Sequence, residues 1–342
     1  MRHFQTEVTT LRWLGPELGI DLRVKRDDLL PLSGGGNKVR KIERIVSSAA
    51  QTSMDALVTT GGVQSNHARV VALTAASRGW ACSLVLHGEP NSWQQPEGNL
   101  LLMRLAGAEI KIVEPGRIGE ELRMAVETLR ARGCRPLLID GGGHSVEGAL
   151  AYRDAALELE EYARIEKWFP DWVVLASGTG TTQVGLLAGF ATLQWKTRVM
   201  GISVARPRLR GLQVMEAACR QLEVKTGQTI RKVDIDFRDD WVGEGYEKAS
   251  SATWEVIRGV AQTEGLVLDP TYTGKAFQGL LALVEVGEIK PGSRVLFWHT
   301  GGLLNLMAFP DKTRPFEPLG SKQDALHGAF SSIFRTSGRG AA

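Results

Sequence analysis

Cysteine is scarce in this chain of 342 residues, and Cys82, Cys134 and Cys219 show no CxxC spacing. An odd, scattered set gives neither a disulfide framework nor a zinc site, so no metal is expected. Charge of one sign is lacking as well. Forty-one basic residues against 38 acidic ones leave +3, with no long basic stretch. Nucleic acid therefore has no electrostatic footprint here. The opening MRHFQTEVTT has no apolar core of the signal-peptide kind. One uncharged run, 172–195, is long enough to span a bilayer. It is interrupted by Gly178, Gly180, Gly185 and Gly189 and divides into strand, loop and helix. A soluble, cytoplasmic protein without a membrane partner is the expectation.

Glycine is what the chain has in plenty, 39 residues, yet no G-X-Y period accompanies it. Collagen is excluded, and the glycines are assigned to turns and close backbone approaches. Length suggests two domains. Apolar runs of four to six residues alternate with helical stretches of ten to fifteen. Strands are predicted at 56–60, 82–86, 109–113, 136–139, 172–176, 199–204 and 294–299. Helices fall near 39–50, 65–78, 97–106, 118–132, 146–162, 182–193, 251–264 and 275–287. That alternation reads as βαβ units and parallel sheets, an α/β fold. A small α/β domain is expected over 42–150. A larger, cofactor-binding domain is expected from 1–41 with 151–335, and 320–342 as a loosely attached tail. The glycine run 141–143 is the candidate boundary.

Four segments carry candidate chemistry. In Ser33-Gly34-Gly35-Gly36-Asn37-Lys38-Val39-Arg40-Lys41, Lys38 stands at a helix start. The dipole and the neighbouring Arg40 and Lys41 are expected to lower its pKa, as an imine-forming lysine requires. A solvated basic helix start is the plainer alternative. In Thr60-Gly61-Gly62-Val63-Gln64-Ser65-Asn66-His67, a strand ends in glycines before a helix, where parallel sheets bind ligands. There Ser65 or Asn66 could equally be a helix cap. In Ser177-Gly178-Thr179-Gly180-Thr181-Thr182, amides, hydroxyls and a helix N-terminus form a phosphate cradle. Gln183 replaces the third glycine of a dinucleotide fingerprint, so a lone phosphate fits better than NAD. The fourth segment is the pair Asp269-Pro270-Thr271-Tyr272-Thr273-Gly274-Lys275 and His299-Thr300-Gly301-Gly302. A weakened lysine, a phosphate cradle and polar strand ends together suggest pyridoxal 5'-phosphate, PLP.

The set KRDDLLPLSGGGNKVRKIE, GGVQSNHARV, GNLLLMRLAGAEI, SGTGTTQVGLLAG, EGLVLDPTYTGKAFQGL and LFWHTGG resembles the tryptophan-synthase-β-like, fold type II PLP enzymes. Within them it resembles the branch of D-cysteine desulfhydrase and 1-aminocyclopropane-1-carboxylate (ACC) deaminase. The resemblance implies that Lys38 holds the cofactor aldehyde and later moves the substrate's Cα proton. It implies that Asn66 bonds the pyridoxal 3-oxygen and that Ser65 binds the substrate carboxylate or assists proton movement. Gly178, Thr179, Gly180, Thr181 and Thr182 would hold the phosphate, and Tyr246 and Tyr272 would be the two active-site tyrosines. ACC deaminases carry a glutamate after the second tyrosine and a leucine before the final glycine pair. This chain has Thr273 and Thr300, as the desulfhydrases do, so both threonines are expected at the pyridine nitrogen. Thr181 stands where related loops have Gly or Ser. Trp298 lies near the site in sequence, although an alternating strand would make it a core residue. The resemblance implies a homodimer acting on a small amino acid, with α,β-elimination from D-cysteine as the leading reaction. β-Replacement or elimination on another β-substituted amino acid is the alternative, followed by ACC deamination or cofactor binding without turnover.

Overall fold

The computed structural model describes residues 4–88, 94, 96–230 and 235–309. The segment 310–342, with the expected tail, lies outside the described residues. The first elements are β1 (Val8–Thr10), α1 (Leu14–Glu17), β2 (Asp21–Lys25) and α2 (Lys38–Ser48). Then the alternation expected from periodicity begins: β3 (Ala56–Gly62), α3 (Asn66–Ala76), β4 (Ala81–His87), α4 (Gly98–Leu105), β5 (Glu109–Ile112), α5 (Ile118–Ala131) and β6 (Pro136–Ile139). These strands form a four-stranded, wholly parallel sheet in the order β5-β4-β3-β6.

After α6 (Val146–Ile165) come β7 (Trp172–Ser177), α7 (Thr181–Thr192), β8 (Arg198–Ser203), α8 (Arg208–Thr226) and β9 (Asp236–Arg238). The described chain ends with α9 (Ser251–Glu264), α10 (Thr273–Glu285), β10 (Arg294–Trp298) and α11 (Leu303–Met307). The second sheet has six strands, β1-β2-β10-β7-β8-β9, parallel except for the β1–β2 pair. It is buried on both faces. Val174 and Phe297 enter one apolar cluster, while Val173, Leu175, Leu296 and Trp298 enter the other. Period-two alternation across a covered sheet requires this split.

The run 172–195 is β7, a glycine loop and α7, and among the described residues no helix is long and apolar enough to cross a membrane. Helix α8 was not expected from the sequence. Its buried positions are few, Gly211, Met215, Ala218, Cys219 and Leu222, so its apolar stripe is narrow. Strand β2 escaped for a related reason, since it buries a charged residue, Lys25, beside Val24.

Candidate active site

Three strand ends converge on one cavity of about 390 Å³: Gly61 and Gly62 of β3, Ser177 of β7, and Thr300 just beyond β10. Parallel strands leave their carboxyl ends free for this use. Into the same cavity come Asn37 and Lys38 at the start of α2, and Ser65 and Asn66 at the start of α3. Gly178, Thr179, Gly180, Thr182, Tyr246 and Tyr272 complete the expected set on its wall. Thr181 is the exception. Its hydroxyl is taken by His144 Nδ1 at 2.7 Å and Thr179 at 3.1 Å.

The local sequence explains the cradle. At Gly180, the residue before α7, φ is +77°, and a Cβ there would lie 2.2 Å from Met215 Cγ. Only glycine satisfies both the left-handed backbone and the close approach. The cradle is tied to α2 because Asn37 Nδ2 donates to Thr182 Oγ1 at 3.1 Å. Gly142, in the run expected as a domain boundary, lies between lysine and cradle. A Cβ on it would be 2.8 Å from Thr179 Cγ2 and 3.7 Å from Lys38 Nζ.

Lys38 Nζ donates to Gly142 O at 3.2 Å and shares a hydrogen bond with Lys41. Burial pushes the Lys38 amine down to about 8, and the bond to Lys41 offsets this only in part. The expected contribution of Arg40 is absent. Arg40 turns the other way, bonding Asp27 at 2.9 Å and Glu158 at 2.6 Å. Asp27 also accepts from Tyr152 at 2.6 Å, Trp298 Nε1 at 2.8 Å and Thr6 at 2.9 Å. Burial works against that carboxylate, but Arg40 and the donors hold its pKa below the usual range. Trp298 is thus a core residue anchoring this network. Lys41 is fully buried and pushed well down by burial and then by Lys38.

Ser65 combines both sequence readings: Oγ accepts from Ala68 N at 3.2 Å, capping α3, and the residue lines the cavity. Asn66 Oδ1 accepts from Asn99 Nδ2 at 3.1 Å, which fixes the amide and leaves its NH2 group to donate. Thr59 gives its hydroxyl proton to Ile139 O, so His67 Nε2 must be the donor in its 2.7 Å contact with Thr59. Burial, then Lys38 and Lys41, pushes the His67 pKa well down. Tyr246 and Tyr272 meet hydroxyl to hydroxyl, with their rings edge to face. Burial raises both phenols.

Thr273 does not reach the position expected of it. Its hydroxyl donates to Asp269 Oδ1 at 2.7 Å and accepts from Asp269 N at 2.8 Å, and the residue is absent from the cavity wall. A buried carboxylate four residues back captures the threonine in a local loop. Asn99, in the segment GNLLLMRLAGAEI, braces the site, and Gly142 and Arg206 line it, although none of the three was expected as a site residue.

These parts fit PLP: glycine-only backbone where a phosphate would seat, a lysine able to be neutral, and a buried Thr60 hydroxyl on the wall with no partner. The sequence matches the family described as pyridoxal-phosphate dependent enzyme over residues 1–301. The chain belongs to that family. It is 36% identical over 313 residues to 1-aminocyclopropane-1-carboxylate deaminase from Methylobacterium sp. (strain 4-46), covering 87% of this chain and 92% of that protein. It is 33% identical over 314 residues to D-cysteine desulfhydrase from Klebsiella pneumoniae (strain 342), covering 89% and 93%. A crystal structure described as an ACC deaminase homologue superposes with a TM-score of 0.83 at 32% identity, covering 91% and 93%. The chain is therefore a PLP-dependent, fold type II protein of the ACC deaminase and D-cysteine desulfhydrase group, and ACC deaminase names prevail among its relatives.

Proposed function

We propose that this protein is a lyase that removes the β-substituent from a small D-amino acid, D-cysteine first, giving pyruvate, ammonia and sulfide. The observation that carries the reading is the make-up of the cavity wall: among the described residues that line it are Thr300 and no Asp or Glu. The bound cofactor would supply electron withdrawal from the substrate's Cα. A carboxylate facing its ring nitrogen would strengthen that withdrawal by ~1.4 kcal/mol for each pK unit of extra proton affinity. A hydroxyl gives a fraction of this. A weaker sink suits a substrate with a good leaving group on Cβ, as thiolate is, and not an unactivated cyclopropane.

In this reading Lys38 holds the cofactor and, with its amine lowered to about 8, takes the Cα proton near neutral pH. Ser65 and the NH2 of Asn66, on the cavity wall at the start of α3, orient substrate carboxylate and cofactor oxygen. The tyrosine pair, neutral at physiological pH, can pass a proton between its two hydroxyls. Gly178, Thr179, Gly180 and Thr182, with the first amides of α7, receive the phosphate, and Thr181 braces that loop through His144. The small domain over 42–150 and the larger one from 1–41 and 151–335 belong to the same proposal, the described strands of each forming one of the two sheets. The test is a substrate panel of D- and L-cysteine, β-chloro-D-alanine, D-serine and ACC, scored for keto acid and ammonia. Keto acid from D-cysteine and β-chloro-D-alanine is the expected result.

A further inference from the structure

The sheet-end loop that follows β8 brings a guanidinium to the cradle. Ser203, fully buried, fixes this turn: its hydroxyl donates to Arg206 O at 2.7 Å and accepts from Ala205 N at 3.3 Å. Arg206 Nη1 donates to Gly178 O at 3.1 Å, so the guanidinium rests on the glycine loop, and Arg206 lines the cavity. We propose that Arg206 is a phosphate-binding residue, its guanidinium adding positive charge at the glycine loop of the cradle.

The charge balance makes the case. A phosphomonoester carries about −1.5 to −2 near neutral pH, while a helix N-terminus offers roughly +0.5. The other cradle groups, Gly178, Thr179, Gly180, Thr182 and Asn37, are neutral. Lys41 also lines the cavity, but it is fully buried and hydrogen-bonded to Lys38. Arg206 is half-buried, yet among the described residues no carboxylate pairs with it. A guanidinium has five N–H donors, and the recorded bond to Gly178 O uses one. Burial, then Arg210, pushes its pKa down, the direction expected of a cation that has no anion beside it. A bound phosphate would remove that penalty. Of the two anions the site must accommodate, the phosphate is the one whose cradle Arg206 touches. The inference rests on the family's cofactor and not on the choice of substrate, so an inactive D-cysteine assay would leave it standing.

The test uses the full chain stripped of cofactor, as wild type, Arg206→Gln and Arg206→Lys. Each is titrated with PLP and with pyridoxal, which lacks the phosphate, following the absorbance change on binding. Arg206→Gln should weaken PLP roughly 10- to 100-fold, as loss of a charge-assisted bond does, and leave pyridoxal affinity unchanged. Arg206→Lys should recover most of the loss. Equal PLP affinity in wild type and Arg206→Gln would overturn the proposal. So would parallel weakening of PLP and pyridoxal, which marks a purely structural residue. Unchanged PLP affinity with a raised KM for the amino acid would overturn it in favour of a substrate-carboxylate role.

Discussion

Lys38, at the start of α2, and Lys275, in the first turn of α10, are both buried in this fold, and burial pushes each amine down to about 8. Their surroundings differ. Lys275 Nζ donates to the carbonyls of Val242 at 2.8 Å, Gly245 at 2.7 Å and Val204 at 3.4 Å, and it lines no part of the cavity. Lys38 has one carbonyl, Gly142, and opens on the cavity. The neighbouring threonines repeat the contrast, Thr273 being spent on Asp269 while Thr300 stands on the cavity wall. A lowered pKa alone therefore does not mark chemistry. An amine whose N–H donors are all engaged by carbonyls is structural, and one left with spare hydrogen-bonding capacity beside a cavity is available to react.

The largest expected effect breaks the comparison at its centre. Lys38→Ala should lower turnover roughly 10³-fold or more, since it removes both the cofactor's attachment and the proton carrier. Borohydride reduction of wild type should fix the cofactor on the peptide containing Lys38, and mass spectrometry finding it on Lys41 or Lys275 would reverse the assignment. Lys275→Met should act on the fold instead. Three carbonyls lose their donor, costing about 2–3 kcal/mol in chemical denaturation, while the borohydride label stays on Lys38.

A pH series sharpens the same contrast. Attachment of PLP to the stripped protein needs the neutral amine, whose fraction falls tenfold for each pH unit below its pKa. With Lys38 lowered from 10.5 to about 8, the attachment rate should rise with pH up to about 8 and level off above it. A rate still climbing at pH 10 would mean an ordinary, solvated lysine. The smallest effect distinguishes the threonines. Thr300→Ala should reduce turnover about three- to tenfold, the scale of one neutral hydrogen bond, with little change in stability. Thr273→Ala should cost about 1 kcal/mol of stability, through the bond to Asp269, and leave KM unchanged.

Much of this was legible in the sequence, for identifiable reasons. Apolar runs such as Val173, Val174 and Leu175 have no place except a covered parallel strand, so the alternation of strands and helices could be read directly. Glycines before a helix announce special backbone, and Gly180 and Gly36 do have positive φ. What could not be read is pairing across long separations. Nothing local to Arg40 indicates that Asp27 and Glu158 take it away from Lys38, or that Asp269 closes on Thr273. Arg206 was invisible for the same reason, since its meaning depends on Gly178, 28 residues earlier in the chain. Helix α8 was missed because a narrow buried stripe on a polar helix leaves little periodicity.

Keto-acid formation by the PLP-loaded wild-type enzyme, from D-cysteine and from ACC in parallel, tests the central claim most directly. A neutral Thr300 on a cavity wall whose described residues include no Asp or Glu predicts steady pyruvate and sulfide from D-cysteine, and no 2-oxobutyrate above background from ACC. Efficient ring opening of ACC would contradict the account.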